Sequence, residues 1–311
     1  MCRDLRIRTL IKIMKKSSKT ILFFCSMMTL LLASCSDSIA PVYAGTTVQI
    51  IKAGNLIELE TEFDRYNYDL NTLQDGVPPL ILQSFPREIA SLNSSKKKKN
   101  VFFKSLLPMI LLANDEIRRE RQILVDLDEL SKMNGGDFAD SDFHLLKTLA
   151  KRYGVKLNRK NPRQTLNKLL QRVDVIPTDL AMAQAANESA YGTSRFSLLA
   201  NNLFGEWTFT PGAGIVPEGR PEGEIYEVRR FNTLLDSVRS YQKNLNTHSA
   251  YRTFRKLRAE ARAADQKLSG KHLANGLLYY STRREAYIKD LQSLIKQNRL
   301  ERYAAATLRK G

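Results

Sequence analysis

One acidic residue, Glu188, lies at the end of an alanine-rich segment and is followed by aromatic and amide residues. The segment reads AMAQAANES, and it continues as AYGTSRFSLLANNLFGEW. Alanine and methionine favour a helix, in which Gln184 lies one turn before Glu188 on the same face. Apolar packing and the negative end of a helix both disfavour a charged carboxylate and raise its pKa, which suits a general acid. A buried glutamate could instead be structural, bonded to an arginine such as Arg195.

The elements that must position Glu188 are mostly helical. Its own helix is predicted to begin at Ile176-Pro177-Thr178-Asp179 and to end by Gly192. Helical spacing of apolar residues predicts further helices, at residues 78–92, 101–133, 142–153, 162–173, 231–245 and 249–264. The run Lys96–Lys99 is interpreted as a solvated loop. Residues 210–231 are rich in Gly and Pro, which is typical of a mobile lobe or hairpin.

The residues around Glu188 resemble a known enzyme signature. AANESAYGTSRFSLLANNLFG is similar to the motif of the bacterial glucosaminidases of glycoside hydrolase family seventy-three, written A-x-x-E-S-x-x-G-T-S and then N-L-F-G. The stretch from about Pro78 to Tyr303 also resembles the Bax-type subgroup, through LLPMILLANDEIRRER, RVDVIPTDLAMAQAANESAYGTSRF, NNLFGEWTF and NTHSAYRTFRKLRA. The chain departs from the family at Asn187, where an apolar residue is common, and this neighbour predicts an altered pKa for Glu188.

This resemblance implies a fold and an activity. The fold is mainly α (α+β), a lysozyme-like helical domain with a small β-lobe across a groove, preceded by a helical N-terminal region. The implied reaction is hydrolysis of the β-1,4 bond after N-acetylglucosamine in peptidoglycan, with Glu188 protonating the leaving oxygen. Such hydrolysis needs no metal or nucleotide, so no cofactor is expected. Consistent with this, His144, His248 and His272 fall in no metal-binding spacing, and the glycine-rich segment lacks a phosphate-loop ending.

The same resemblance implies a second carboxylate, and a set of substrate-binding residues is expected beside it. Counting back from Phe231, Glu218 best matches a lobe carboxylate, while Glu222 and Glu224 stay open. The lobe acid would activate water, or the substrate's own N-acetyl group would assist instead; we favour the former. The residues expected to contact substrate are Tyr280, which matches the family's closing motif, and Trp207, Phe204, Asn202 and Gln184.

The N-terminus has the features of an export signal. Within residues 1–34, a basic segment precedes the apolar run ILFFCSMMTLLLA, which suits a signal peptide better than a membrane span. The residues LASC then resemble a bacterial lipoprotein box with Cys35 as the lipidated residue. A plain cleavable signal or a membrane anchor is the alternative, and the start is either Met1 or Met14. We therefore expect a cell envelope protein, lipid-anchored to a membrane and facing the periplasm.

Composition bounds the partners and the domains. The net charge of +17 falls to +11 once residues 1–34 are removed, which favours an anionic partner. We expect a monomer that binds peptidoglycan glycan strands and no nucleic acid, since the lysine run lacks interleaved aromatic residues. The predicted division is residues 1–34 signal peptide, 35–76 tether, 77–160 helical region and 161–311 glucosaminidase domain. A lytic transglycosylase and a non-catalytic wall-binding lipoprotein are the alternatives; Asn-Asn-Leu-Phe-Gly after the glutamate argues against the former.

Overall fold

Helices dominate the computed structural model, which describes residues 47–309. The α-helices are α1 (Leu56–Arg65), α2 (Ser95–Met133), α3 (Asp140–Arg152), α4 (Pro162–Arg172), α5 (Thr178–Ser189), α6 (Arg195–Ala200), α7 (Leu234–Thr247), α8 (Arg252–Ala263), α9 (Gly270–Leu273) and α10 (Glu285–Gln297). The strands are β1 (Gln49–Ile51), β2 (Leu80–Leu82), β3 (Trp207–Thr208), β4 (Gly214–Ile215) and β5 (Glu227–Arg229). The predicted signal peptide, the Cys35 lipidation site and the first part of the predicted tether lie outside the described residues.

The hydrophobic core is built around α5. Helices α2, α9 and α10 and the short turn Leu300–Tyr303 all pack against it. Every residue of α5 is buried except Asn187 and Glu188, which are partly exposed at its end. Its alanines leave room for close helix packing, so this helix lies in the centre of the domain rather than on its surface. The predicted mainly α class with a small β-lobe is confirmed.

The N-terminal part of the described chain is folded, not a tether. Strand β1 pairs in parallel with β2, and α1 buries Leu59 and Phe63 in the same core as α5. The prediction of a tether is therefore wrong for residues 47–76. Its short apolar runs gave weak periodicity because one strand and one helix contribute only a few buried side chains each.

Two further predictions near the N-terminus are corrected. Residues 78–92 form β2 and the short 3₁₀ turn Arg87–Ile89 instead of a helix. The lysines of the run 96–99 lie in the first turns of α2, where Ser94 caps the helix by accepting a hydrogen bond from the Lys97 N–H. Residues 78–92 do not form a helix because Pro86 cannot continue one. The lysine run is helical because Ser94 can start a helix just before it.

The small β-lobe follows the helix α6. Strands β3, β5 and β4 form an antiparallel sheet in that order, with Trp207 and Ile215 both paired to Val228. The buried Glu227 accepts hydrogen bonds from the Gly212 and Gly214 N–H groups, which lower its pKa. This carboxylate therefore closes the hairpin. Within residues 47–309, no helix is both long enough and apolar enough to cross a membrane.

A buried acid anchors the start of α5. Asp179 accepts hydrogen bonds from the backbone N–H groups of Leu180 at 3.0 Å and Gly270 at 3.1 Å, which joins α5 to α9. Thr178, predicted as the cap, is instead the first helical residue. Burial raises the pKa of Asp179 from 3.8 to about 6, although both backbone hydrogen bonds lower it.

Replacing Asp179 by asparagine is expected to remove a pH dependence from the free energy of unfolding. The pKa of Asp179 in the folded state lies above its unfolded-state value. The stabilising contribution of Asp179 to the free energy of unfolding is therefore complete below about pH 4 and is lost as the pH rises through about 6. Between a pH below about 4 and neutral pH, the free energy of unfolding of the wild type should therefore fall by about 3 kcal/mol relative to that of Asp179→Asn. Urea unfolding at both pH values measures this, with the exposed Asp137→Asn as control; a difference independent of pH contradicts the raised pKa.

Candidate active site

Glu188 lies at the end of α5 and opens into a cleft. The backbone turns sharply just after it, since Ala190 and Tyr191 both have left-handed φ angles, of 49° and 57°. The Tyr191 ring packs edge-on against Phe102 and Phe103 of α2, which holds this unusual backbone in place. The end of the helix is thus fixed by the core at the point where the carboxylate reaches solvent.

The cleft has a volume of about 790 Å³ and a mixed lining. It lies between the β-lobe and α7, with Glu188 from α5 in its wall. Its aromatic lining residues are Phe204, Trp207, Phe209, Tyr241, Tyr251 and Tyr280. Its charged and polar lining residues are Glu188, Glu206, Arg229, Ser240, Lys243, Asn244, Thr247 and His248. Aromatic faces beside polar groups are suited to sugars, whose C–H faces are apolar and whose hydroxyls need hydrogen bonds.

A directed chain of hydrogen bonds positions the Glu188 carboxylate. The Tyr241 hydroxyl donates to Gln184 Oε1 at 2.7 Å, and Gln184 Nε2 donates to the Tyr287 oxygen at 3.0 Å. Tyr287 in turn hydrogen-bonds Glu188, and Asn187 Nδ2 donates to Glu188 Oε1 at 3.2 Å. Because the Tyr287 oxygen accepts from Gln184, its own proton is free to donate to the Glu188 carboxylate.

The electrostatics of Glu188 match the prediction of a raised pKa. Burial raises the pKa of Glu188, and the hydrogen bonds from Tyr287 and Asn187 lower it by less than burial raises it. The alternative of a structural pair with Arg195 is not found, since Arg195 lies 3.3 Å from Glu218 instead. Glu188 is therefore a partly exposed acid, poised to give up a proton to a group in the cleft.

Three of the predicted substrate-binding residues line the cleft. Phe204 is stacked on Tyr241 with ring centroids 3.9 Å apart, so it forms part of the cleft's buried base. Trp207 is 51% exposed and leans on the Tyr226 ring, which leaves much of its surface for a ligand. The Tyr280 hydroxyl donates to the Phe204 carbonyl at 3.2 Å, and its ring stacks on Tyr287.

The other two predicted binding residues are corrected to positioning roles. Gln184 is fully buried, and both ends of its amide are used by Tyr241 and Tyr287. Asn202 is also buried: its Nδ2 donates to the carbonyls of Glu206 and Arg229, and its Oδ1 accepts from the Glu206 N–H. From the sequence, a small polar side chain in a signature motif fits a ligand contact and a turn hydrogen bond equally well. Here the Asn202 side chain bonds the motif to β5.

A second acid in the cleft was not predicted from the sequence. Glu206 follows the Asn-Asn-Leu-Phe-Gly motif directly, and its Oε1 accepts from Arg229 at 2.6 Å and Ser240 at 2.8 Å. Gly205 before it has a left-handed φ of 68°, and an added Cβ there would lie 4.0 Å from Glu188 Oε2. The signal available in the sequence was the position of Glu206 directly after the motif, since Gly205 and Glu206 line the same cleft as Glu188.

The lobe acids proposed from the sequence lie elsewhere. Glu218 does not line the cleft; its side chain is 86% exposed and pairs with Arg195. Glu222 and Glu224 are likewise exposed and outside the cleft lining. A catalytic role for Glu218 stays a prediction. Within residues 47–309, no group of three or more His, Cys, Asp or Glu side chains is placed to hold a metal ion.

The Tyr287→Phe variant is expected to shift the pH dependence of any reaction that needs protonated Glu188. Loss of the donated hydrogen bond removes an interaction that favours the carboxylate, so the pKa of Glu188 rises further. Because the acid form is the active one, the alkaline limb of the kcat/KM profile should move to higher pH. Tyr153→Phe is the matched control, since this buried tyrosine donates to a different glutamate, Glu120. A limb that moves to lower pH contradicts the role of Tyr287.

The chain is similar in sequence to known glucosaminidase-like proteins. Residues 163–300 match the glucosaminidase family described as mannosyl-glycoprotein endo-beta-N-acetylglucosaminidase. The chain is 35% identical over 205 residues to Protein bax of Escherichia coli (strain K12), covering 66% of this chain and 71% of that protein. The crystal structure of the catalytic domain of the autolysin Auto from Listeria monocytogenes aligns over 69% of this chain and 92% of that domain, with 16% identity and a TM-score of 0.37.

Proposed function

Because the chain belongs to the Bax-type family of glucosaminidase-like proteins, we propose that it is a peptidoglycan hydrolase, an endo-β-N-acetylglucosaminidase that cuts the β-1,4 bond after N-acetylglucosamine. The observation that carries the proposal is Glu188. It is an acid with a raised pKa, held by a buried hydrogen-bond chain, at the wall of an aromatic cleft. A glycosidic oxygen is a poor leaving group unless it is protonated, and this arrangement supplies the proton.

In the proposed mechanism, Glu188 donates its proton to the departing oxygen as positive charge grows at the sugar C1. Tyr287 then stabilises the carboxylate that this transfer creates, because its hydroxyl already points at Glu188. Trp207 offers an exposed ring on which a pyranose face can stack, which fixes the sugar along the cleft. Burial disfavours the charged state before the reaction and the hydrogen bonds favour it afterwards.

Two placements of the second carboxylate are in competition. Glu218 is the position derived from the family resemblance, with a role in activating water. Glu206 lies on the cleft itself and is ion-paired with Arg229. A carboxylate at this place can stabilise a growing oxocarbenium charge. Cleft placement favours Glu206, and we propose it as the first variant to examine.

The proposed location is the cell envelope, with the protein lipid-anchored at Cys35 and facing the periplasm. Support comes from the sequence of residues 1–35 and from the substrate, which lies outside the cytoplasmic membrane. Globomycin, which blocks lipoprotein signal cleavage, should cause a slower-migrating precursor to accumulate; Cys35→Ala should remove the protein from the membrane fraction.

Product analysis of digested peptidoglycan tests the proposed function. Mass spectrometry should find new reducing ends at N-acetylglucosamine after incubation with the wild-type protein, and none with Glu188→Gln. New anhydro-muramic acid ends would identify a lytic transglycosylase instead. Binding to peptidoglycan without new ends would identify a non-catalytic wall-binding protein.

A further inference from the structure

A second cavity lies between α4 and α8, and its charged lining residues are mainly cations. It has a volume of about 850 Å³, and its lining does not include Glu188. We call it the basic groove; its cationic lining consists of Lys156, Lys168, Arg172, Arg252, Arg255 and Lys256. The acid in its lining is Glu260. Nothing in the reaction at Glu188 accounts for such a concentration of positive charge.

Most of these charges are not neutralised by the protein. Lys256 lies 3.7 Å from Glu260, whereas the other five cations have no carboxylate within 4.0 Å anywhere in residues 47–309. The contrast is visible along α8 itself, where Arg262 is paired with the buried Asp174 at 2.9 Å. One side of α8 is thus neutralised internally, while the side that lines the groove keeps a positive potential that favours an anionic ligand.

Two of the guanidinium groups are held rigidly. Arg255 is only 5% exposed, and its Nη1 donates to the carbonyls of Leu245 and His248. Arg172 donates from its own Nη1 to the carbonyls of Tyr153 and Gly154. In both residues these bonds use one terminal nitrogen. Burial, together with the neighbouring Arg172 and Arg252 charges, lowers the pKa of Arg255 to about 10, as expected for cations kept close together without a counter-ion.

The basic groove borders the cleft that contains Glu188. Thr247, His248 and Tyr251 line the cleft, and Arg252, the next residue in the chain, lines the groove. Arg255 also hydrogen-bonds the carbonyl of the cleft residue His248 at 2.9 Å. A ligand that fills the cleft therefore contacts residues that are adjacent in the chain to residues of the groove.

We propose that the basic groove binds the carboxylates of the peptide stems carried by the glycan strand whose sugars occupy the cleft. This inference rests on the proposed function and adds the part of the substrate that sets preference. Peptide stems are short, extended and rich in free carboxylates, and four residues reach roughly 13 Å. Arginine binds carboxylates through two parallel hydrogen bonds, so Arg172, Arg252 and Arg255 are suited to them. A concave groove also fits an extended chain better than a flat lipid surface.

The test compares two substrates and two charge-matched variants. The groove variant Lys156→Glu/Lys168→Glu/Arg252→Glu changes three exposed side chains; the control Lys267→Glu/Lys271→Glu/Lys296→Glu changes three exposed lysines outside both cavities. The measurement is kcat/KM on strands with intact stems, divided by kcat/KM on strands stripped of stems by an amidase. Wild type and control should favour intact strands by about 10-fold, and the groove variant should lose this preference through KM. The same triple change to glutamine should give an intermediate ratio.

The outcomes separate this inference from the proposed function. If wild type cuts both substrates with equal efficiency, the groove inference is overturned while the hydrolase stands. If neither substrate is cut, the proposed function fails, and the groove inference is tested by titrating a soluble disaccharide-peptide against the wild type and the groove variant. Binding about 10-fold weaker in the groove variant supports the groove inference, and equal binding overturns it. Loss of binding to anionic vesicles by the groove variant, with the substrate ratio unchanged, also overturns it in favour of a lipid partner.

Discussion

The Glu188→Gln variant is expected to lose about 10²- to 10⁴-fold in kcat on peptidoglycan, the range that a positioned general acid contributes. Glutamine has nearly the same shape, and its amide oxygen can still accept from Tyr287 and Asn187, so the fold and the cleft should persist. What it lacks is a transferable proton. The loss should therefore fall on kcat with KM little changed, because substrate contacts elsewhere in the cleft remain. Release of soluble fragments from purified peptidoglycan measures it.

The control for this variant is Glu285→Gln, an exposed glutamate in the first turn of α10 that is outside the cleft. It makes the same chemical substitution away from the cleft and should retain wild-type rates. Thermal unfolding of all three proteins shows whether Glu188→Gln is folded. A folded Glu188→Gln protein with the wild-type rate would remove Glu188 from the mechanism. Wild-type protein without activity on any peptidoglycan would instead favour a non-catalytic role.

The helix that carries Glu188 shows what the sequence could and could not supply. Its existence, its approximate ends and the elevated pKa of its last acid followed from alanine content, position and apolar neighbours. Its burial on almost every side did not follow from the sequence pattern, because a helix whose residues are mostly small has no clearly polar face. Periodicity identifies a buried face only when an opposite face is polar, and here the polar residues Asp179, Gln184 and Ser189 are all buried with hydrogen-bond partners.

The positioning network was beyond the reach of the sequence for a different reason. Tyr287 is a buried core residue, and its hydroxyl also hydrogen-bonds Glu188, which lies 99 residues earlier in the chain. Tyr241 in α7 is likewise buried, and its hydroxyl donates to Gln184. Contacts of this kind depend on how three helices cross, and local pattern contains no such information. The family motif located the acid, and only the fold identified the residues that orient it.

Replacing Glu206 by glutamine is expected to lower kcat by roughly 10²-fold, the second-largest effect we predict, since it removes a carboxylate from the wall of the cleft that contains Glu188. A negative charge near the developing oxocarbenium centre stabilises the transition state more than the ground state. Because Glu206 pairs with Arg229, the single variant also leaves a guanidinium unbalanced. The double variant Glu206→Gln/Arg229→Gln separates the two causes: a rate that recovers in the double variant assigns the loss to the unpaired Arg229.

Glu218→Gln, measured in parallel, decides between the two placements of the second carboxylate. Its side chain is exposed and outside the cleft lining, so we expect a rate close to that of wild type. A large loss in Glu218→Gln with Glu206→Gln still active would mean that the β-lobe brings Glu218 to the bound sugar, as the family resemblance implied. If both variants remain active, and Glu222→Gln and Glu224→Gln do as well, none of these four carboxylates is needed besides Glu188, and the substrate's N-acetyl group becomes the nucleophile. An oxazolinium-type inhibitor such as a thiazoline analogue of N-acetylglucosamine should then bind tightly, and it should bind weakly if any of the four carboxylates is required.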